Sequence, residues 1–227
     1  MSPKEMSAPA VVAEAGWIPV KPFRLEGGRA SFVSGEPEGD RLRVRYFRRE
    51  SDGRLVGRAW FGPGAQGPPG HAHGGSIAAV LDEAMGAAAW QEGHLVVAVQ
   101  LNTSFRKMLP LGTDTCLEAW VEGVDGRKVR TRGRLLDADG APFAEADGVF
   151  VEIDRERFRP MLEKAAAERG VSVEELLARL PSAPSLPRPT LTPTLSHPHS
   201  HPPGRGGTLP TSSCSSLWAA APSPGRA

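Results

Sequence analysis

An acidic pair stands inside an apolar segment that follows a glycine-rich loop. Residues 67–86 read GPPGHAHGGSIAAVLDEAMG, so the chain passes two histidines and then Gly74 and Gly75 before it reaches Asp82 and Glu83. The start of a helix leaves backbone N–H groups without partners and carries partial positive charge, and glycine lets a ligand oxygen approach them closely. Such a start can hold an oxyanion, and a nearby carboxylate can act as a base or a nucleophile.

Small side chains surround Asp82 on its helical face. They lie at offsets of three, four and seven residues: Ala78, Ala79, Gly86 and Ala89. The carboxylate is therefore expected in a shallow groove that a ligand can approach. On an isolated helix the same small residues would simply allow close packing, and Asp82 would be an ordinary solvated aspartate. Glu83 points in another direction and is interpreted as a surface charge.

Two further patterns in and just before this stretch are weak evidence for a binding site. Gly62, Gly64 and Gly67 match the spacing of a dinucleotide-binding loop, but two prolines follow where that loop requires a helix. His71 and His73 form a pair that could chelate a metal, yet no carboxylate follows at the spacing that such sites use. We therefore expect no metal ion and no other cofactor.

The elements that must position these residues alternate between extended and helical patterns. Apolar residues at three- and four-residue spacing predict a helix from about Gly75 to Trp90. Short antiparallel strands are predicted at RASFVS, RLRVRYFRRE and RLVGRAWF, and a four-strand meander at LVVAVQLNTSFRK, TDTCLEAWVEG, RKVRTRGRLLD and PFAEADGVFVEI. A surface helix is predicted over 155–180, with a capping box at Ser172–Glu175 that restarts it after Gly170. The expected fold class is α+β.

Composition divides the chain into four segments. We expect an N-terminal arm over 1–22, one folded domain over 23–153, a helical segment over 154–180 and a tail over 181–227. The tail is rich in proline and serine, and such a composition cannot bury enough apolar surface to offset chain entropy. The tail is therefore predicted to be disordered.

Bulk charge and hydropathy exclude several partners. The formal net charge of +1 creates no field that would draw the chain to nucleic acid, and no segment reaches the roughly 20 apolar residues of a membrane-spanning helix. Cys116 and Cys214 are too few for a disulfide framework, and the N-terminus lacks the apolar stretch of a signal peptide. The expected location is the cytoplasm.

The segment HGGSIAAVLDEAMG resembles the signature of hotdog-fold acyl-CoA thioesterases, in which a histidine and two glycines precede a catalytic acid on a central helix. The segments GPPGHAHGG, LNTSFRKMLPLG and VDGRKVRTRGRL extend the resemblance over about residues 30–153, and they are similar to the phenylacetate-pathway and human thioesterase-superfamily branches. The resemblance implies an antiparallel β-sheet wrapped around a long central helix. It also implies hydrolysis of an acyl-CoA thioester to free CoA and a carboxylic acid.

The same resemblance implies roles for individual residues. At the Gly74–Gly75 helix start, the Gly74 N–H would polarise the thioester carbonyl, and His73 would shape the loop. Asp82 would act as general base or as nucleophile, and the sequence leaves both open. Some relatives carry a hydroxyl residue on the strand after the helix, where this chain has Ala98.

The resemblance also implies binding of the CoA phosphates by basic residues, and four of them lie at expected strand ends: Arg106, Lys107, Arg127 and Lys128. Each of them could equally be an ordinary solvated charge.

Two other functions stay open on the same fold, a non-catalytic acyl-CoA-binding module and a 3-hydroxyacyl thioester dehydratase.

Helix length adds a constraint on assembly. Eight residues of helix rise about 12 Å, so Gly74 and Asp82 of one chain cannot both touch the same carbonyl group. A second protomer must then supply one of them. We expect a homodimer, or a dimer of dimers, with active sites shared between protomers.

Overall fold

The computed structural model describes residues 13–21, 31–34 and 38–179. Seven strands form one sheet: β1 (Trp17–Val20), β2 (Leu42–Arg49), β3 (Leu55–Phe61), β4 (Val96–Phe105), β5 (Asp114–Asp125), β6 (Lys128–Leu136) and β7 (Pro142–Glu152). Three helices accompany them: α1 (Gly74–Gln91), α2 (Arg155–Arg169) and α3 (Val173–Arg179). The strand order is β1-β2-β3-β5-β6-β7-β4, and every neighbouring pair is antiparallel. This architecture confirms the α+β expectation.

Helix α1 lies against the sheet and forms the centre of the core. The predicted apolar stripe is buried, since Ile77 and Leu81 are 3% and 0% exposed and Ala84 is fully buried. Alternating residues of the strands meet this stripe from the sheet, as Leu117 and Leu135 do. Burying one such leucine contributes about 1.5–3 kcal/mol, so this interface fixes where α1 begins and which of its faces stays open.

The N-terminal part of the sheet differs from the sequence prediction. Trp17–Val20, which was assigned to an arm, pairs with β2 as an edge strand, and the Trp17 ring packs on Phe47 at a centroid distance of 5.4 Å. Pro19 is compatible with this position because an edge strand needs fewer N–H donors. The strand predicted at RASFVS is wrong in its described part, where Phe32–Ser34 forms a turn.

The C-terminal helical segment packs as two helices. Leu162 and Ala166 of α2 join Leu95 and Leu176 in a separate apolar cluster. The Glu175 N–H donates to Ser172 Oγ at 3.1 Å, which confirms the predicted N-cap. The predicted disordered tail at 181–227 lies outside the described residues. Within the described ranges, no helix is long and apolar enough to cross a membrane.

Strand β4 forms the second edge of the sheet. Among the described strands it pairs with β7 alone, and its register shifts between Ala98 and Gln100. Its apolar side chains are unusually exposed for a strand, with Val97 at 49% and Val99 at 59%. An exposed apolar edge is a surface that proteins normally cover.

Candidate active site

The loop between β3 and α1 folds back on itself before the helix begins. The Gly67 N–H donates to the His71 carbonyl at 3.0 Å, and the His73 N–H donates to the Ala65 carbonyl at 2.8 Å. A Cβ atom on Gly67 would lie 2.7 Å from the His73 Cα, so the close approach requires glycine. The loop thus places His73 at the helix start and does not form a dinucleotide-binding turn.

The backbone N–H groups in the first turn of α1 differ in whether they have a hydrogen-bond acceptor. His73 is the N-cap residue, and its Nδ1 accepts a hydrogen bond from the Gly75 N–H at 2.9 Å. The N–H groups of Ser76 and Ile77 both donate to the His73 carbonyl. Within the described part of the chain, no acceptor binds the Gly74 N–H. Of the glycine pair, Gly74 therefore offers the open donor, while the Gly75 donor is occupied.

A cleft of about 340 Å³ opens beside this donor, and we call it the Gly74 cleft. Its lining includes Gly74, Ile77, Phe105, Arg106, Lys107 and Met108. The Phe105 ring is close to the helix start, because a Cβ atom on Gly74 would lie 3.3 Å from it. The cleft therefore combines a free N–H, exposed apolar surface and two basic side chains.

A second cleft, of about 310 Å³, opens beside Asp82, and we call it the Asp82 cleft. Its lining includes Phe32, Asp82, Glu83, Gly86, Trp90 and Ala98. Asp82 Oδ1 is buried and has no hydrogen-bond partner among the described residues. Burial raises the pKa of Asp82, and the charge of Glu83 raises it further. A desolvated carboxylate of this kind is a stronger base than a solvated aspartate.

Glu83 is not the surface charge that the sequence indicated. The Tyr46 hydroxyl donates to Glu83 Oε1 at 3.0 Å, and Ser31 Oγ donates to the other carboxylate oxygen. Tyr46 is buried, and burial followed by the charge of Glu83 raises the pKa of its hydroxyl. The interpretation as a surface charge was wrong because these partners come from distant parts of the sequence and meet α1 only in the fold.

The two clefts lie at different places along α1. Gly74 and Asp82 line separate clefts that share no described lining residue, as expected from a rise of about 12 Å over eight helical residues. Strand β4 borders both clefts, with Ala98 beside Asp82 and Phe105 beside Gly74. One protomer therefore does not bring the predicted donor and the predicted acid together.

Arg106 and Lys107, two of the predicted phosphate ligands, border the Gly74 cleft. Arg106 forms an ion pair with Glu145 at 2.8 Å. Lys107 bonds to Asp137 and lies 4.4 Å from the centre of the Phe143 ring. Both side chains stay exposed and keep further N–H groups, so these contacts orient the two cations without using all of their donors.

Arg127 and Lys128, the other two predicted phosphate ligands, lie elsewhere. Arg127 donates to the Glu152 carbonyl at 2.7 Å, and Lys128 begins β6 as an exposed residue. Glu152 pairs with Val96, the first residue of β4, whereas Arg106 follows its last residue. The structure therefore places the two basic pairs at opposite ends of β4 and does not bring all four together.

The histidine pair does not converge on one point. His71 Nδ1 lies 2.9 Å from the Pro69 carbonyl oxygen, while His73 Nδ1 caps the helix. In the ranges that the structure describes, no group of three or more histidine, cysteine, aspartate or glutamate residues could hold a metal ion.

Several residues that border the Asp82 cleft, or that bond to a residue bordering it, were missed by the sequence reasoning. Tyr46 had a usable signal, because Leu42, Val44 and Tyr46 alternate along one face of a predicted strand. Phe32 had no such signal, since its segment matched a strand pattern. Trp90 was predicted only as the last residue of the helix.

The chain is similar in sequence to known proteins. Residues 69–144 match the family model of the thioesterase superfamily. Acyl-coenzyme A thioesterase THEM4 of Xenopus laevis is 32% identical over 135 residues, which cover 59% of this chain and 61% of that protein. A crystal structure of a thioesterase superfamily protein is 32% identical and aligns with a TM-score of 0.48, over 65% of this chain and 75% of that chain. Over residues 69–144 the chain is thus similar to the thioesterase superfamily.

A second curated relative, acyl-coenzyme A thioesterase THEM5 of Mus musculus, is 32% identical over 120 residues, which cover 52% of this chain and 48% of that protein. The chain thus spans about half to three fifths of the length of these two curated relatives. The sheet around α1 is the hotdog fold of the thioesterase superfamily, as the sequence indicated. The matched residues include Gly74, Asp82 and all of β4.

Proposed function

We propose that the chain hydrolyses acyl-CoA thioesters to free CoA and a carboxylic acid. The observation that carries the proposal is the carboxylate of Asp82, which has a buried oxygen without a described partner and borders an open cleft. A desolvated carboxyl group in a cleft, with its pKa raised by burial, is a candidate for catalysis. Similarity to the thioesterase superfamily supports this chemistry, and the curated relatives are named acyl-coenzyme A thioesterases.

The two clefts supply the two functions that thioester hydrolysis needs. As general base, Asp82 takes a proton from water while the water oxygen attacks the carbonyl carbon, and the Gly74 N–H stabilises the oxyanion that forms. The C–S bond then breaks, and the CoA thiolate leaves and takes up a proton. As nucleophile, Asp82 would instead form an acyl anhydride, which water then hydrolyses. Both routes use the same two residues.

The catalytic site in this proposal is shared between two protomers. The supporting observation is the β4 edge, where exposed Val97 and Val99 lie on a strand whose second side has no described partner strand. Antiparallel pairing of β4 with its copy, about the middle of the strand, would place Val96 opposite Phe105 of the partner subunit. The Asp82 cleft of one protomer would then face the Gly74 cleft of the other, which matches a two-fold symmetric dimer.

The side chains that line the two clefts differ in charge, so each cleft is assigned a different part of the substrate. Arg106 and Lys107 border the Gly74 cleft and suit the phosphates of CoA. The lining of the Asp82 cleft is mainly apolar apart from Asp82 and Glu83, and it suits the acyl group. The thioester would lie between them, where the donor and the acid meet across the protomer boundary.

The direct test measures thiol release from short, medium, long and aromatic acyl-CoAs by the purified chain. The wild type should release CoA without added metal, and Asp82→Asn should lose at least about 100-fold in kcat because the base is gone. Asp139→Asn is the matched control, since Asp139 is exposed in a turn and should keep full activity.

Two other outcomes would overturn the proposal. Tight acyl-CoA binding without thiol release would identify a non-catalytic binding module. Formation of an enoyl thioester from a 3-hydroxyacyl-CoA without CoA release would identify a dehydratase. Unchanged turnover in Asp82→Asn would remove the role of that residue while leaving the activity in place.

A further inference from the structure

The Ser31–Ser34 turn reaches the Asp82 cleft from a distant part of the sequence. Val33 is 4% exposed and belongs to the main core cluster, so one residue of the turn is anchored in the protein interior. Ser31 is anchored separately, because its hydroxyl donates to the Glu83 carboxylate on α1. The Val33 N–H also approaches Ser31 Oγ at 3.4 Å. The turn is therefore held on both sides of Phe32.

Phe32, between these two anchors, is not buried. Its side chain is 68% exposed although it borders the Asp82 cleft. An aromatic ring that packs only for stability is normally covered, whereas an exposed ring at a cleft can contact an apolar ligand. The ring therefore has free surface on the side of the cleft.

Glu83 connects this turn to the catalytic helix. Its two carboxylate oxygens are used separately, one by the buried Tyr46 hydroxyl and the other by Ser31. Charged hydrogen bonds of this kind are stronger than neutral ones. Tyr46 thus holds the Glu83 carboxylate in place, and that carboxylate holds the Ser31–Ser34 turn, which carries Phe32.

We propose that Phe32 is a specificity-determining residue for the acyl group and that Glu83 is the positioning residue that holds it at the Asp82 cleft. The inference rests on the proposed thioesterase function and goes beyond it, because it names the part of the substrate that the Ser31–Ser34 turn contacts. The recognised group is an apolar acyl chain that passes Asp82 and lies against the Phe32 ring.

The size of the cleft sets the length of that chain. The volume of about 310 Å³ is about twice the ~150 Å³ of an apolar cavity that holds one benzene molecule. An acyl chain on the order of ten carbons therefore fills it, whereas an acetyl group fills only a small part of it. Gly86 and Trp90, one and two helical turns after Asp82, border the same space.

The experiment compares decanoyl-CoA with acetyl-CoA. Phe32→Ala should lower kcat/KM for decanoyl-CoA about tenfold and change acetyl-CoA less than twofold, because only the longer chain loses apolar contact. Ser31→Ala should produce the same chain-length effect at smaller size, mainly through KM. Met161→Ala is the control, since Met161 is a similarly exposed apolar residue on α2, at 63%.

Glu83→Gln separates positioning from general structural damage. It should weaken the decanoyl preference and also shift the acidic limb of the kcat/KM profile to lower pH, because it removes a negative charge beside Asp82. In the described lining of the cleft, Asp82 and Glu83 are the charged groups. Phe32→Ala and Ser31→Ala should leave that limb in place. A purely structural role would instead lower activity on both substrates equally.

A binding measurement keeps the inference separate from the proposed function. S-decyl-CoA, which cannot be hydrolysed, should bind about tenfold more weakly to Phe32→Ala than to the wild type, while CoA itself binds both equally. Absence of thiol release from the wild type would remove the thioesterase proposal and leave this comparison intact. Equal S-decyl-CoA affinity for the wild type and Phe32→Ala would overturn the inference.

Discussion

The Gly74 donor can be removed without disturbing the helix that it starts. Gly74 is the first residue of α1, and its N–H has no acceptor within the described residues. Proline is well tolerated at this position, and His73 before it has φ −67° and ψ 136°, which suits a residue preceding proline. Gly74→Pro therefore deletes the donor and should preserve the fold.

The expected loss follows from the role of the donor. Removing one oxyanion donor typically lowers kcat by about 10²–10³, or roughly 2.7–4 kcal/mol. Gly74→Ala is the matched control, because it adds the same Cβ atom near Phe105, at 3.3 Å, and keeps the N–H. Phe105 is 54% exposed and can move, so the alanine variant should lose far less activity than the proline variant.

Mixed dimers then test whether the site is shared. Gly74→Pro and Asp82→Asn chains should each be nearly inactive alone. A heterodimer has one site with both intact residues and one with both lesions, because helix length keeps the two residues of one chain about 12 Å apart. Random pairing makes about half of the dimers heterodimers, so about a quarter of wild-type activity should return.

The assay uses the two variants with different affinity tags, co-expressed and purified through both tags. The isolated heterodimer should release thiol at about half the wild-type rate per dimer, with decanoyl-CoA as substrate. Heterodimers verified by mass that stay inactive would refute the two-protomer site. Full activity in Gly74→Pro homodimers would show that the oxyanion donor is another group.

Three further results are expected. Because burial raises the pKa of Asp82, its ionised form costs stability at neutral pH, so Asp82→Asn should raise the Tm at pH 7. This difference in Tm should shrink as the pH falls through the raised pKa of Asp82, and it should vanish below the ordinary aspartate pKa of about 4. Glu118 is 7% exposed and bonds two arginines, so Glu118→Gln should lower the free energy of unfolding in urea by about 2 kcal/mol. Glu122→Gln, a change on the same strand at an exposed ion pair, should lower it by less than about 0.5 kcal/mol. Val99→Lys on the β4 edge should yield monomers in sedimentation experiments and should lose thiol release with them, since each protomer would then lack half of the site; an active monomer would contradict this.

Local pattern was sufficient for most of the fold. The apolar spacing of α1, the four strands after it and the Ser172 cap are properties of short segments, and the structure reproduces each of them. The helix start at the glycine pair was also predictable from local pattern, whereas the catalytic roles of Gly74 and Asp82 stay predictions. Trp17–Val20 and the Phe32 turn were not, since a short segment pairs or turns according to what it meets across the sheet.

The sequence by itself therefore determined where the helix starts and predicted the residues for the chemistry, namely a backbone donor at that start and an acid two turns later. Only the tertiary structure decided their surroundings. It placed Tyr46 and Ser31 on Glu83, left Asp82 Oδ1 without a described partner, and divided the predicted basic residues between the two ends of β4. The physical reason is that helical periodicity is encoded within a few residues, whereas burial and hydrogen bonding depend on strands that are distant in sequence and meet only when the sheet closes on the helix.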